Sequence, residues 1–482
     1  MNPLRKASLQ PLTLVTLVLA AGSLVTGWFY AGQALGSDFY TQPWLVTQAL
    51  KEIKPTNIYS REDRRRLALY SHWRATTLGV SQRHKLAAQS VHHPDTLDWG
   101  TTGTPFLFTV FSVLQGVEYD TAWTWYRTVS LALLAAGVLV TGLLLRYSLA
   151  AALTVLTLVT FTTACYSELR VLNVNMIQVG MLALVLGLLR VGRRYGHALG
   201  GAALAAAILF KPNLALAGVL MAVGWLFSRR YRKLLTAAAG GLAGAALVFV
   251  VSSIYLGGFD AWPNFIRSLT ATLAPADFRL FDGNYTFVQA IREWFAFDAR
   301  WLVLGVLVVP ALALLWLRRR HLKRREGEAA SQVDDRRLAF EEDVLGMGLG
   351  CAITIAASPL AWLHYYLLLA PLVLFLLRPL AAAGAGQERT GSLCDVLRVL
   401  AAGLGLVLLM TPMSMIGGAL QWNTMHLVGP LIGLTALLAA GYMELWRLGR
   451  VQEAKSEIRS PSVRPPAGAK LETKQPSPRK GE

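Results

Sequence analysis

The chain has 482 residues, of which 54% are hydrophobic and 15% charged, with a formal net charge of +18. Soluble domains carry roughly 25% charged residues, and here the charge sits in short blocks between long apolar runs, which excludes a soluble enzyme core. The Lys and Arg residues cluster beside those runs with no aromatic-interleaved basic surface, so nucleic acid is excluded as a partner.

Residues 1–10 form a short basic lead-in, with Arg5 and Lys6 just before the first apolar run at 11–32. That run is long for a signal-peptide core and lacks a convincing small-residue cleavage site, so it reads as a retained first transmembrane helix. Together with 128–145, 231–256, 301–317 and 427–446, it is long enough, or nearly so, to cross ~30 Å of hydrocarbon as a helix.

Basic blocks beside span ends assign the sides. Arg229, Arg230, Arg232 and Lys233 form one block, and Arg318, Arg319, Arg320, Lys323, Arg324 and Arg325 another. Positive charge is retained on the cytoplasmic side. The resulting layout has a periplasmic first loop at 33–121, transmembrane helices over 122–256 and a second periplasmic loop at 257–300. Further helices follow over 301–446, with a cytoplasmic loop at 318–342, and a basic disordered tail at 447–482. The expectation is an all-α polytopic membrane protein of about 12 transmembrane helices, with both termini cytoplasmic.

Within the first loop, helices are expected at 42–54 and 62–74, joined at Pro55, with irregular chain at 88–105. The stretch 103–116 reads as a re-entrant or interfacial helix, or as half of an extra crossing pair. The loop carries Lys51, Lys54, Arg61, Arg64, Arg65, Arg66, Arg74, Arg83 and Lys85, against the charge rule. That rule loses force for loops beyond ~60 residues. Cys165, Cys351 and Cys394 are too few and too apolar in setting for a disulfide framework or a metal site.

Five places carry groups suited to chemistry. Asp38, in Gly36-Ser37-Asp38-Phe39-Tyr40, follows the first span; near apolar surface its carboxylate can act as a base, although a solvated helix-end aspartate is the plainer reading. Lys211, in Phe210-Lys211-Pro212-Asn213, lies between two short apolar runs and wants an anionic partner, unless it snorkels. His364, in Ser358-Pro359-Leu360-Ala361-Trp362-Leu363-His364-Tyr365-Tyr366, can donate to a phosphate, while Trp362 and Tyr365 also fit an interfacial aromatic belt. Glu168 and Arg170 precede Asn173, Asn175 and Gln178, of which the last two share a helix face. The second loop offers Trp262, Asn264, Arg267 and the sequon-like Asn284-Tyr285-Thr286.

In sequence order these features resemble glycosyltransferase family 87, polyprenyl-phosphate-sugar-dependent transferases of the GT-C fold. The resemblance spans roughly 11–446. It rests on Asp38-Phe39-Tyr40 with Ile58-Tyr59, Asn175-Met176-Ile177-Gln178, Lys211-Pro212-Asn213, Asn284-Tyr285-Thr286-Phe287, and Ser358-Pro359 followed by Trp362 and His364-Tyr365. Thr104-Pro105-Phe106 stands where the family has a Tyr-Pro-Pro stretch, and Val171-Leu172 stands where a Gly-Gln pair is common.

The resemblance implies inverting transfer of mannose or another hexose or pentose from a polyprenyl phosphate to a glycolipid or cell-envelope glycan. It places the reaction on the periplasmic face of the bacterial inner membrane. Asp38 becomes the general base, and Lys211, His364 and Arg170 the groups around the donor phosphate. Tyr40, Asn175, Gln178, Trp262, Asn284, Trp362 and Tyr365 become sugar, lipid or acceptor contacts. No metal and no cofactor beyond the lipid-linked donor is implied; the partners are that donor, the acceptor and membrane lipids. A transporter or flippase for lipid-linked or anionic solutes is the competing reading, suited by helices broken near Lys211, and a noncatalytic envelope-assembly subunit is a third.

Overall fold

A computed structural model describes residues 11–77, 79–91, 103–272, 284–323, 332–383, 393–410 and 425–459. Of the tail expected to be disordered at 447–482, residues 447–459 continue the helix Met425–Arg459; the remainder, and most of 88–105, lie outside the described residues. Among the described residues the regular structure is helical, and one isolated antiparallel bridge joins Asn284 to Trp362.

Among the described residues five helices are long and apolar enough to cross a membrane: Pro11–Gln33, Tyr119–Leu144, Tyr231–Tyr255, Arg300–Leu317 and Gly429–Arg447. A sixth arises if Leu149–Thr160 and Thr163–Val171, bent by 62°, count as one broken span. Five more apolar helices, among them Asn175–Arg190 and Pro212–Phe227, have 10–17 residues, short of the ~20 that a straight crossing needs. The breaks have local causes. The Thr162 side chain caps a new helix start by accepting from Cys165 N. Lys211 precedes Pro212, and a residue before proline is driven out of helical geometry; its backbone is extended, with φ −153°.

The exterior is that of a chain facing lipid. Leu242, Ile254 and Trp301 are 74%, 72% and 84% exposed, so apolar burial is not what holds those helices to their neighbours. Close backbone packing between small residues serves instead. A Cβ on Gly201 would lie 1.9 Å from the Ala237 carbonyl oxygen, and one on Gly240 2.0 Å from that of Ala198. The helices Arg194–Phe210 and Tyr231–Tyr255 therefore touch along their backbones.

The first loop is a folded layer. Its helices are Leu45–Glu52, Arg61–Thr77 and Gln82–Val91, preceded by a π turn at Tyr40–Trp44 that contains Pro43. Tyr40, Trp44, His84 and Tyr119 pack ring against ring beneath them, with centroids 4.9–5.5 Å apart. Several of the basic residues that strain the charge rule are paired here. Arg66 meets Asp63 at 2.8 Å, Arg74 meets Glu52, and Arg83 meets Asp120 at 2.8 Å. The Arg83 guanidinium also donates to Gly32 O at 2.9 Å, tying the layer to the end of the first helix. Residues 103–116 form a short apolar segment, Pro105–Leu114, about 15 Å long at helical rise. It packs against Tyr231–Tyr255 and Arg194–Phe210.

Candidate functional site

The site forms where the first loop meets the ends of three helices. Gly36 follows the first helix in the left-handed conformation, φ 63°, and its N–H donates to Arg170 O at 3.3 Å. A Cβ there would meet the Trp123 ring at 3.0 Å. This turn delivers Asp38 in the short helix Ser37–Phe39.

The facing wall is built by another left-handed residue. Leu172, φ 52°, ends Thr163–Val171 and turns the chain so that Asn173 looks back at Asp38. Asn173 Nδ2 donates to Asp38 Oδ2 at 2.6 Å, and Tyr126 Oη donates to Asn173 O at 2.7 Å. Lys211 Nζ donates to Asn173 Oδ1 at 2.7 Å and reaches Asn175 Oδ1 at 3.4 Å. One side-chain amide thus links the carboxylate to the ammonium, and both partners fix its orientation. The Tyr365 ring lies 4.1 Å from the same Nζ, a cation–π contact.

Asp38 is partly buried, and loss of solvent pushes its carboxyl pKa up; the Asn173 hydrogen bond and the Lys211 charge oppose that shift. Asp38, Gln42, Thr104, Asn173, Lys211 and Tyr365 line a cavity of about 60 Å³. That is room for a few waters. Gln42 accepts from Gly103 N at 2.8 Å, and Thr104 donates to Phe210 O at 3.1 Å, closing the far wall.

Glu168 serves the helix that starts at Asn175. Its carboxylate accepts from Asn175 N at 2.9 Å and from Asn175 Nδ2 at 2.8 Å, an acidic cap on a helix N-terminus. Glu168 is buried against Asn175, whereas the Arg170 side chain is exposed. Gln178 and Asn213 exchange amide hydrogen bonds of 2.7 and 3.3 Å. That exchange pins the Lys211-Pro212-Asn213 turn to the Asn175–Arg190 helix.

Residues 358–365 approach from the other side. Asn284 donates to Pro359 O at 3.0 Å and accepts from Ala361 N at 2.9 Å, while Tyr285 N donates to Ala361 O at 3.0 Å. This clasp, to which Trp362 contributes the bridge with Asn284, holds the strand of chain entering Leu363–Leu369. His364 is buried, its Nε2 has no hydrogen-bond partner, and its ring sits edge-on to Tyr365 at 5.0 Å.

Of the residues singled out from sequence, Asp38, Asn175, Lys211 and Tyr365 converge directly, with Gln178, His364, Asn284 and Trp362 supporting them. Tyr40 lies under the loop layer, where its hydroxyl pairs with Ser71 at 2.9 Å. Trp262 donates to Ser252 Oγ at 2.9 Å and packs on Phe249. Asn173 and Gln42 were not singled out as site residues. Asn173 carried a faint signal, as the first of three amides at a helix start.

The comparison with protein families bears on this geometry. Residues 102–333 match glycosyltransferase family 87. It is the family that the ordered motifs resemble, and the match supports the class of activity, a membrane glycosyltransferase. The matched segment, just under half the chain, contains Asn173, Asn175, Gln178, Lys211 and Asn284; Asp38 and His364 lie outside it. No curated protein and no solved structure matches the chain.

Proposed function

We propose that this family 87 chain transfers a sugar from a polyprenyl phosphate to a glycolipid or cell-envelope glycan, in a GT-C arrangement, with Asp38 as general base. The observation that carries this reading is the Asp38–Asn173–Lys211 relay: a partly buried base and a partly buried cation, held a single amide apart at one cavity.

An acceptor hydroxyl oxygen forms a bond to the anomeric carbon as the bond from that carbon to the phosphate oxygen breaks. The proton passes to Asp38, and the bonding electron pair leaves with the polyprenyl phosphate. Direct displacement inverts the anomeric centre. Proton removal by a placed carboxylate contributes typically ~10²–10⁴-fold. Lys211, and His364 through its unpartnered Nε2, stabilise the charge that grows on the phosphate. Arg170 is placed as an outer donor contact, Asn175 and Gln178 as groups that hold Lys211, and Tyr365 as a wall for the sugar. The cavity has to widen for this, because a hexose does not fit in 60 Å³.

Charge supports the sidedness. The helices Tyr119–Leu144, Asn175–Arg190 and Ala215–Phe227 run from the Asp38 end to Arg146, Arg190 and Arg229–Arg230. This distribution supports reading Asp38 as facing the periplasm, by the positive-inside rule.

The test is transfer by purified wild-type and Asp38→Asn protein from a panel of radiolabelled polyprenyl-phosphate sugars into envelope lipid extract. Label in acceptor with wild type alone is expected. No transfer from any donor, together with movement of the same lipids across liposomes, would favour the flippase.

A further inference from the structure

A second cavity lies at the opposite end of the bundle from Asp38. It has a volume of about 900 Å³. Arg146, Arg190, Arg229, Arg230, Arg232 and Lys233 line it, with Asp343 as the one carboxylate of the lining. Lys233 pairs with Asp343, and Arg230 pairs at 3.0 Å with the neighbouring Glu342. Six basic side chains thus share the hollow with Asp343 and the neighbouring Glu342.

Part of this charge answers the helices themselves. Tyr119–Leu144, Asn175–Arg190 and Ala215–Phe227 all end here, and cations favour helix C-termini. Three such ends amount to roughly one and a half negative charges. The turns that close the helices are also held in one geometry, with Arg146, Gly192 and Arg229 all left-handed at φ 67°, 69° and 55°. Arg146 and Arg229 are the left-handed residues that close helix C-termini, with Tyr147 N donating to Gly142 O and Arg230 N to Trp225 O.

Around the mouth the surface changes character. Val191, Tyr195, Leu199, Tyr231 and Leu235 are 47%, 55%, 53%, 46% and 68% exposed. A basic hollow rimmed by exposed aliphatic and tyrosyl side chains matches a molecule with an anionic head and apolar tails. We infer that this cavity binds the phosphate headgroup of an anionic membrane lipid, with the acyl chains lying along the Arg194–Phe210 and Tyr231–Tyr255 helices. Basic pockets at helix ends recognise such headgroups through charge and hydrogen bonds to phosphate oxygens. A soluble phosphate shares the head chemistry but gains nothing from the apolar rim, so the lipid is the favoured source. The inference does not depend on which sugar is transferred.

Native mass spectrometry on the full-length protein in neutral detergent tests it, with phosphatidylglycerol, phosphatidylcholine or inorganic phosphate added. Phosphatidylglycerol should be retained and phosphatidylcholine not, with retention falling as salt screens the headgroup. Arg146→Gln with Arg232→Gln should weaken retention roughly tenfold or more, whereas Arg146→Lys with Arg232→Lys should keep most of it. Arg300→Gln, on an exposed arginine paired to Asp298, should change nothing. Equal retention of both lipids by wild type would overturn the inference, and that arm needs no variant to fold. So would unchanged phosphatidylglycerol retention in the Gln pair. Phosphate alone competing at lipid-like concentrations would assign the hollow to a soluble ligand instead.

Discussion

Asn173 Nδ2 donates to Asp38 Oδ2 across 2.6 Å, and the other end of the same amide holds Lys211. The contact sets two opposed demands on Asp38. Burial favours the protonated acid, while the amide and the lysine favour the carboxylate, and burial is the larger effect.

The acid limb of activity follows from that balance. With the folded pKa above the ordinary carboxylate range, Asp38 is a base only at pH above it, so kcat/KM should fall as pH drops through the raised value. Asn173→Ala removes a group that lowers the pKa and should move the limb to higher pH. A pH–rate profile of both proteins checks this; a limb that stays put would remove Asp38 from the base role.

Asp38→Asn should lower transfer by about 10²-fold or more without loss of stability. A raised folded pKa means that the ionised form weakens the fold above the unfolded pKa, so the neutral amide relieves a cost at neutral pH. Thermal unfolding should therefore occur at the same or a higher temperature than in wild type. A clear drop would show that the carboxylate is structural.

Lys211→Met keeps the length of the side chain and removes its charge. Loss of a hydrogen bond to a charged group is worth ~1.5–3 kcal/mol, so kcat/KM for the lipid-linked donor should fall roughly tenfold to a hundredfold, with little change in acceptor KM. Initial rates with each substrate varied in turn would show it. Equal effects on both substrates would mean that Lys211 only holds Asn173 and Asn175.

Much of this was legible in the sequence, and the exceptions have physical causes. Asp38, Lys211 and His364 are polar groups beside apolar runs, where a charge needs a reason. The link between Asp38 and Lys211 was not legible, because it depends on Leu172 adopting φ 52°, which nothing in a leucine advertises. Tyr40 and Asn284 were read as sugar, lipid or acceptor contacts; in the described fold their side chains take part in ring packing and a loop clasp. About a dozen spans were expected from hydropathy; among the described residues five straight helices and one bent pair are long and apolar enough to cross. Thr162 and Pro212 break helices into shorter pieces, and that same breaking puts Asn173 and Lys211 at helix ends inside the bundle.

The loop layer should be sensitive to acid through His84. Burial first, and then the nearby Arg74 charge, push its imidazole down to about 4, with Asp120 opposing. The fold therefore keeps His84 neutral while the unfolded chain protonates near pH 6.5. Stability contributed by the neutral ring is present above about 6.5 and is lost as pH falls towards about 4. His84→Gln should flatten the pH dependence of thermal unfolding between those limits. An unchanged slope would place the acid sensitivity elsewhere.

At the basic end, Glu444 is fully buried and receives three arginines. Arg378 reaches it at 3.0 Å and Arg447 at 2.6 Å, Arg398 also pairs with it, and Arg378 further contacts Glu341 at 2.9 Å. These residues come from Gln332–Ala357, Ala370–Ala383, Leu393–Met410 and Met425–Arg459, so one carboxylate joins three helices directly and a fourth through Arg378. Removing one member of a buried ion cluster leaves unpaired charge in a poorly solvated place, at a cost of about 3–5 kcal/mol. Glu444→Gln should therefore lower the thermal unfolding temperature far more than Asp298→Asn, whose exposed pair with Arg300 is worth little. Fluorescence-monitored unfolding of both variants in detergent makes the comparison. Transfer per folded molecule should stay near wild type for Glu444→Gln, because the cluster lies at the end of the bundle away from Asp38. A selective loss of activity at unchanged stability would instead tie this cluster to the chemistry at the other end.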